Sequence, residues 1–147
     1  VVNAYLTQSP LLLRNPNATR PWQHVLEPVF SYLFLVSDYF KGKTASYDSF
    51  NVGPEPGSIK SVDDLAKEVQ KKWPITIETL LTDDQKLHEA TLLSLDNTKI
   101  KYETIWKPKW GFETTIDKTL NWYQQYSSGR DALDLCRLDI SQYIGKR

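Results

Sequence analysis

Ser61-Val62-Asp63-Asp64-Leu65-Ala66-Lys67-Glu68-Val69-Gln70-Lys71-Lys72-Trp73-Pro74-Ile75-Thr76-Ile77-Glu78-Thr79-Leu80-Leu81 reads as two elements joined at a proline. Ser61 followed three residues later by Asp64 has the form of a capping box, in which a hydroxyl and a carboxylate satisfy the first free N–H groups of a helix. Apolar Val62, Leu65, Ala66, Val69 and Trp73 then fall at i, i+3, i+4, i+7 and i+11, one stripe of a 3.6-residue period. Pro74 cannot continue the helix. Residues 75–81 are rich in β-branched side chains, which favour a strand. A helix running directly into a strand predicts a mixed α/β domain.

Upstream, residues 47–52 predict a strand that ends in the turn Gly53-Pro54-Glu55-Pro56-Gly57. Residues 25–40 are apolar on nearly every side, which predicts a helix buried all round, with Pro28 tolerated in its first turn and Gly42 ending it. Leu11-Leu12-Leu13-Arg14 predicts a buried strand between Pro10 and the turn-rich Asn15-Pro16-Asn17-Ala18-Thr19. Val1 to Leu6 resemble the middle of an amphipathic helix without a cap, and the chain contains no methionine, so residue 1 is read as a cut in a longer polypeptide. Downstream, residues 92–95 predict a short strand, Asp96-Asn97-Thr98 a cap for a short helix at 99–104, and residues 107–111 a loop. Residues 112–126 predict a helix with Ile116, Leu120 and Tyr123 on one stripe. Residues 133–144 read as an extended piece and a final helical turn. No repeat or linker divides the chain.

Composition narrows the chemistry. Eighteen Lys and Arg balance eighteen Asp and Glu, which argues against nucleic acid or an anionic membrane surface as the main partner. No apolar run approaches the ~20 residues that span a bilayer, and the chain reads as cytoplasmic. One cysteine, Cys136, rules out a disulfide framework and a Cys-rich zinc site. His24 and His88 lack metal-ligand spacing, so no metal site is expected. There is no Gly-x-Ser-x-Gly elbow and no Gly-x-Gly-x-x-Gly dinucleotide loop. Gly42-Lys43-Thr44 lacks the earlier glycine of a P-loop, and Asn17-Ala18-Thr19 is read as a chance glycosylation match.

The distinctive stretch runs Arg14-Asn15-Pro16-Asn17-Ala18-Thr19-Arg20-Pro21-Trp22-Gln23-His24-Val25-Leu26-Glu27-Pro28. Two arginines flank a tight loop, and the second leads toward a helix start. A guanidinium fork suits phosphate oxygens, and a helix start offers N–H groups and a positive dipole end. The physics admits an anion-binding corner for a phosphate-bearing small molecule, or surface ion pairs of Arg14 and Arg20 with carboxylates.

That stretch resembles a signature of the CDP-glucose 4,6-dehydratases, members of the extended short-chain dehydrogenase/reductase family. Further likenesses follow in order: Phe50-Asn51-Val52-Gly53-Pro54, His88-Glu89-Ala90 with Leu95-Asp96 and Lys99, Trp110-Gly111, Trp122-Tyr123, and the tail from Cys136 to Tyr143. The resemblance spans nearly all 147 residues and only the C-terminal part of a family chain. It implies that this is the nucleotide-sugar-binding portion, and that the Rossmann half with the NAD loop, the Tyr-x-x-x-Lys pair and the acid–base groups lies elsewhere. Tyr39 and Lys43 match that spacing by chance. No catalytic, cofactor-binding or metal-binding residue is therefore expected in this chain.

In such an enzyme NAD oxidises C4 of the glucose, water leaves from C6, and the hydride returns to C6, giving CDP-4-keto-6-deoxy-glucose for deoxysugar, lipopolysaccharide and O-antigen biosynthesis. The resemblance assigns Arg20 to the diphosphate, Leu13 and Arg14 to the pyrimidine side, and His88 and Glu89 to ribose hydroxyls or diphosphate. Trp22 and His24 are expected to pack behind these. The family's His-Glu-Ala-His-Tyr is departed from at Thr91 and Leu92, and Val52 stands in place of an aromatic. A CDP-sugar is the implied partner, and a homodimer is possible for the full-length protein. The alternatives are another nucleotide-sugar epimerase or reductase of the superfamily, and a non-catalytic module binding nucleotide sugars or protein. The isolated chain is expected to leave apolar surface exposed.

Overall fold

A computed structural model describes residues 1–43, 49–80 and 91–145. The elements in chain order are α1 (Val2–Leu6), β1 (Leu11–Leu13), β2 (Thr19–Pro21), α2 (Leu26–Phe40), β3 (Ile59–Ser61), α3 (Val62–Gln70), β4 (Ile77–Thr79), α4 (Thr98–Glu103), α5 (Phe112–Ser127) and α6 (Ala132–Ile144), with a single 3-10 turn at Pro56–Ser58. The domain is mixed α/β, as the 61–81 stretch predicts. Helices dominate, and the strands form two separate pairs. β1 and β4 run parallel, Leu11 opposite Ile77 and Leu13 opposite Thr79. β2 and β3 run antiparallel, Thr19 opposite Ser61 and Pro21 opposite Ile59.

Local chemistry explains the boundaries. Ser61 caps α3 in a complete capping box: its Oγ accepts the Asp64 N–H at 2.9 Å, and the Asp64 carboxylate accepts the Ser61 N–H at 3.0 Å. α2 ends where Gly42 takes φ +67°, so that the Gly42 N–H donates to the Tyr39 carbonyl at 2.9 Å and the Lys43 N–H to the Asp38 carbonyl at 3.0 Å. That is a Schellman closure, and glycine enters the left-handed region at low cost.

The main core lies between α1, α3 and α5. Val69, Trp73, Ile75, Phe112, Ile116 and Leu120 close it, and Tyr5 stacks on Trp73 with ring centroids 3.9 Å apart. Trp22 and Leu65 pack against its margin. Behind the Gly53-Pro54 turn, Asn97 donates from Nδ2 to the carbonyls of Gly53 (2.9 Å) and Pro54 (3.1 Å).

Several expectations are corrected. Residues 133–144 are not extended but belong to α6, because the Asp131 carboxylate caps it, accepting the Asp134 N–H at 3.0 Å, and Leu135, Asp139 and Tyr143 recur every four residues on the buried face. Residues 92–95 form no strand. Leu92 makes one bridge to Thr19, held by the Thr19 N–H to the Thr91 carbonyl at 2.8 Å and the Leu93 N–H to the Thr19 carbonyl at 3.3 Å. Residues 49–52 are irregular, and the rest of the strand expected at 47–52 lies outside the described residues. The strand expected at 75–81 is trimmed to β4, and only Leu13 of β1 is buried. α2 is not buried all round: Tyr32, Leu33, Val36 and Phe40 are exposed along its outer side, so its apolar character exceeds what this domain covers.

A Cβ on Gly53 would stand 2.7 Å from the Leu95 Cβ, too close for either backbone to stay in place. Gly53→Ala is expected to destabilise the domain by about 1–3 kcal/mol. Pairing it with Leu95→Gly, which removes the clashing Cβ, should give less than the sum of the single losses in a urea-unfolding double-mutant cycle.

Candidate functional site

The loop between β1 and β2 is folded back on the start of α3. The Asp63 N–H donates to the Pro16 carbonyl at 3.0 Å and the Val62 N–H to the Ala18 carbonyl at 2.9 Å, while the Ala18 N–H closes the loop on the Asn15 carbonyl at 3.2 Å. Pro16 and Asn15 supply the turn conformations, and Ala18, the smallest side chain in the loop, is buried where the backbones meet. Leu13 is buried at the end of β1, and Arg14 is exposed at the mouth of the loop.

Arg20 sits in the middle of β2, directly opposite Lys60 on β3. Facing residues of an antiparallel pair project to the same side with Cβ atoms about 5 Å apart, so two cationic side chains leave the sheet together. The Arg20 guanidinium donates from Nη1 to the Thr19 carbonyl at 2.8 Å. Trp22 anchors the same pair from behind: its indole Nε1 donates to the Lys60 carbonyl at 2.9 Å and its N–H to the Ser58 carbonyl at 3.2 Å. Asp64, one turn into α3, is held below the usual carboxylate range by the Ser61 hydroxyl and N–H, with Lys60 and Lys67 adding to the effect. Lys60 is the functional candidate that sequence reasoning missed. Nothing in the residue order marks it, since its meaning comes from the strand register.

The helix start expected to share this anion site is already engaged. α2 begins at Leu26, six residues beyond Arg20. The Leu26 N–H reaches His24 Nδ1 at 3.3 Å and the Glu27 N–H donates to the His24 carbonyl at 3.0 Å. The first turn also carries its own carboxylate, Glu27. The basic corner therefore rests on β2 and β3, not on a helix dipole.

Glu27 is fully buried. Its carboxylate accepts the Trp110 N–H at 2.8 Å, the Lys109 N–H at 3.1 Å and the Tyr143 hydroxyl at 2.8 Å. Lys109 Nζ donates to the Tyr143 carbonyl at 2.9 Å and lies 5.0 Å from that ring's centroid. Phe30, Trp110 and His24 complete an aromatic cluster, with Tyr143 4.6 Å from Phe30 and 5.0 Å from Trp110, and His24 edge-on to Trp110 at 4.8 Å. Desolvation, assisted by the nearby Lys118 ammonium, lowers the His24 pKa to about 4. Burial, joined by the hydrogen bond to Glu27 and its charge, pushes the Tyr143 phenol upward. His24 and Trp22 thus have packing roles, as the sequence reading expects of both.

His88 and Glu89 lie outside the described residues. The Asn51-Val52-Gly53-Pro54 stretch is joined to the Arg14–Pro28 stretch by Gln23, whose Nε2 donates to the Val52 carbonyl at 3.1 Å. Among the described residues no glycine-rich turn leads from a strand into a helix: β1 runs into Arg14-Asn15-Pro16, and β3 enters α3 through Ser61. These residues do not fit NAD. No group of three or more His, Cys, Asp or Glu among them could hold a metal ion, and no described helix is long and apolar enough to cross a membrane.

No family model matches the chain. It is similar to CDP-glucose 4,6-dehydratase of Salmonella typhimurium, with 28% identity over 144 residues, covering 98% of this chain and 40% of that protein. That likeness supports a distant relationship, and the chain spans less than half the length of the curated relative it matches.

Removing the Glu27 carboxylate leaves three buried donors without an acceptor, each costing about 1–3 kcal/mol. Glu27→Ala is expected to destabilise the domain by several kcal/mol in urea unfolding, and Tyr143→Phe by about 1 kcal/mol. His24 stays neutral in the folded chain down to about pH 4, whereas an unfolded histidine takes up its proton near 6.5. Between those values the unfolded state binds more protons, so stability should fall as pH drops through 6.5 and level off near 4. The difference in urea midpoint between the native chain and His24→Phe should carry this slope; a pH-independent difference would refute it.

Proposed function

We propose that this chain is the substrate-holding part of an NAD-dependent nucleotide-sugar dehydratase, converting CDP-glucose to CDP-4-keto-6-deoxy-glucose. The observation that carries the reading is the register of β2 on β3, which sets Arg20 and Lys60 at facing positions. Two adjacent cations with a guanidinium fork among them match the spread negative charge of a diphosphate better than that of a single carboxylate. The similarity to a CDP-glucose 4,6-dehydratase supplies the sugar nucleotide and the reaction class.

In this reading Arg20 grips one phosphoryl group in a forked contact, and Lys60 neutralises the other as a point charge. Arg14 stands at the loop mouth for the base or the proximal phosphate, and the backbone at Leu13 passes the pyrimidine. His88 and Glu89 are kept as candidates for the ribose hydroxyls and diphosphate. No residue of this chain is assigned to proton or hydride transfer. NAD, when bound, supplies the redox chemistry that makes the sugar a transient ketone, and it belongs to polypeptide outside these 147 residues. The chain's own work is to hold the nucleotide end still, so that the sugar is presented in one orientation. The complete enzyme is read as cytoplasmic and as serving deoxysugar synthesis.

Calorimetric titration of the chain with CDP-glucose tests this. Saturable binding is expected, weakening with added salt. Arg20→Ala should weaken it by about ten- to a hundredfold, the worth of a charge-assisted hydrogen bond. Lys60→Ala should cost less and flatten the salt dependence. UDP-, GDP- and dTDP-glucose run in parallel separate a dehydratase of CDP-sugars from a relative that uses another base. Absence of saturable heat with all four nucleotides would overturn the substrate-holding role.

A further inference from the structure

A concavity lined by none of the residues of the basic corner lies where the start of α2 meets α5 and α6. It encloses about 420 Å³ and is lined by Val25, Trp122, Tyr123, Cys136, Asp139 and Ile140, among others. That volume is within the range of sites that hold small organic molecules, and an apolar wall with a few polar groups is their usual make-up. The aromatic side is ordered, since Trp122 lies edge-on to Tyr123 at 5.1 Å and stacks on Tyr126 at 5.2 Å.

The acidic group in the cavity wall is Asp139. It is only 8% exposed, and among the described residues its carboxylate accepts no hydrogen bond and forms no ion pair. Its oxygens keep contact with solvent at the cavity wall, and a ligand that displaced that solvent without offering a donor would leave a desolvated carboxylate, which is costly. Two of its neighbours in the cavity wall have a polar atom committed elsewhere. Thr119 donates its hydroxyl proton to the Thr115 carbonyl at 2.8 Å, and His24 Nδ1 faces the Leu26 N–H. Lys118 is the one nearby cation that acts on Asp139, and its ammonium bonds to Gln142 and sits 5.3 Å from the Trp110 ring centroid. Burial accordingly raises the Asp139 pKa, with Lys118 opposing the rise.

We infer that this cavity is a binding site for a small aromatic amine, whose ring lies against Trp122, Tyr123 and Ile140 and whose nitrogen donates to Asp139. The geometry selects both halves of the ligand. An aromatic or aliphatic ring alone would fill the walls, strip the solvent from the carboxylate and leave it unanswered, whereas a cationic nitrogen supplies a donor in that solvent's place and gains from the adjoining ring faces.

Cys136 is the chain's single cysteine, is exposed, and lines the same cavity, so its reactivity reports occupancy. The rate of Cys136 modification by Ellman's reagent should fall saturably with added benzylamine. Benzyl alcohol, with the same ring and no charge, should protect about tenfold less well. Asp139→Asn should erase that preference while leaving the weak protection by the alcohol. Ile140→Trp, which fills the cavity from its rim without touching the carboxylate, should abolish protection by both. Amide and indole NMR spectra of each variant establish that it is folded, and the Trp122 indole signal of the native chain should shift with benzylamine. No saturable protection of the native chain by benzylamine, or equal protection by amine and alcohol, would overturn the assignment. So would an amine preference that survives in folded Asp139→Asn.

Discussion

A carboxylate sealed from water holds the helical half of this domain together. Glu27 is near the start of α2, yet every hydrogen bond its oxygens are seen to accept comes from distant parts of the chain: two backbone N–H groups of the Lys109–Trp110 loop and the hydroxyl of Tyr143 near the end of α6. An ionised group in that position is tolerable only because its lone pairs are met. The pairing is demanding, since each donor must arrive with its own element correctly seated. One side chain therefore fixes the loop, the last helix and the first turn of α2 relative to one another, and the aromatic rings of Phe30, Trp110 and His24 fill the space around it.

That rigidity bears on the basic corner. Arg20 and Glu27 are seven residues apart, and the segment between them is tied at both ends. Trp22 is bonded to β3 through the Lys60 and Ser58 carbonyls, and Gln23 to the Val52 carbonyl. The strand that presents Arg20 is thus fastened to the helical half through short, hydrogen-bonded chain. A guanidinium positioned by a paired strand loses less freedom on binding than one on a free loop, which fits the ligand-orienting role proposed for Arg20.

Much of this was legible in the residues. The capping box at Ser61 and Asp64, the stop at Pro74, the glycine closing α2 and the α5 stripe follow from local rules, and the helices they predict are present. The failures have a physical pattern. α6 was hidden because its buried face is set by Leu135, Asp139 and Tyr143, of which one is charged and one is polar at its tip, so hydrophobic periodicity is weak there. The strand expected at 92–95 shrank to one bridge because a short apolar run has no pairing partner of its own and depends on the edge of β2. Glu27 and Lys60 carry no local signal at all. The first is explained by donors more than eighty residues away, and the second by a cross-strand register that no spacing along the chain encodes.

The facing of Arg20 and Lys60 is also an energetic argument. Like charges set opposite each other on an antiparallel pair are unfavourable by themselves, so the facing of Arg20 and Lys60 costs a little stability unless an anion meets it. The acidic side chain at hand is Asp64, but its carboxylate is engaged by the N–H and hydroxyl of Ser61, where it caps α3. The Asp64 carboxylate thus serves a helix end, while the register of β2 and β3 keeps Arg20 and Lys60 at facing positions. On the substrate-holding role proposed above, a diphosphate turns that repulsion into attraction, since it has the charge and the number of oxygens to engage both side chains at once.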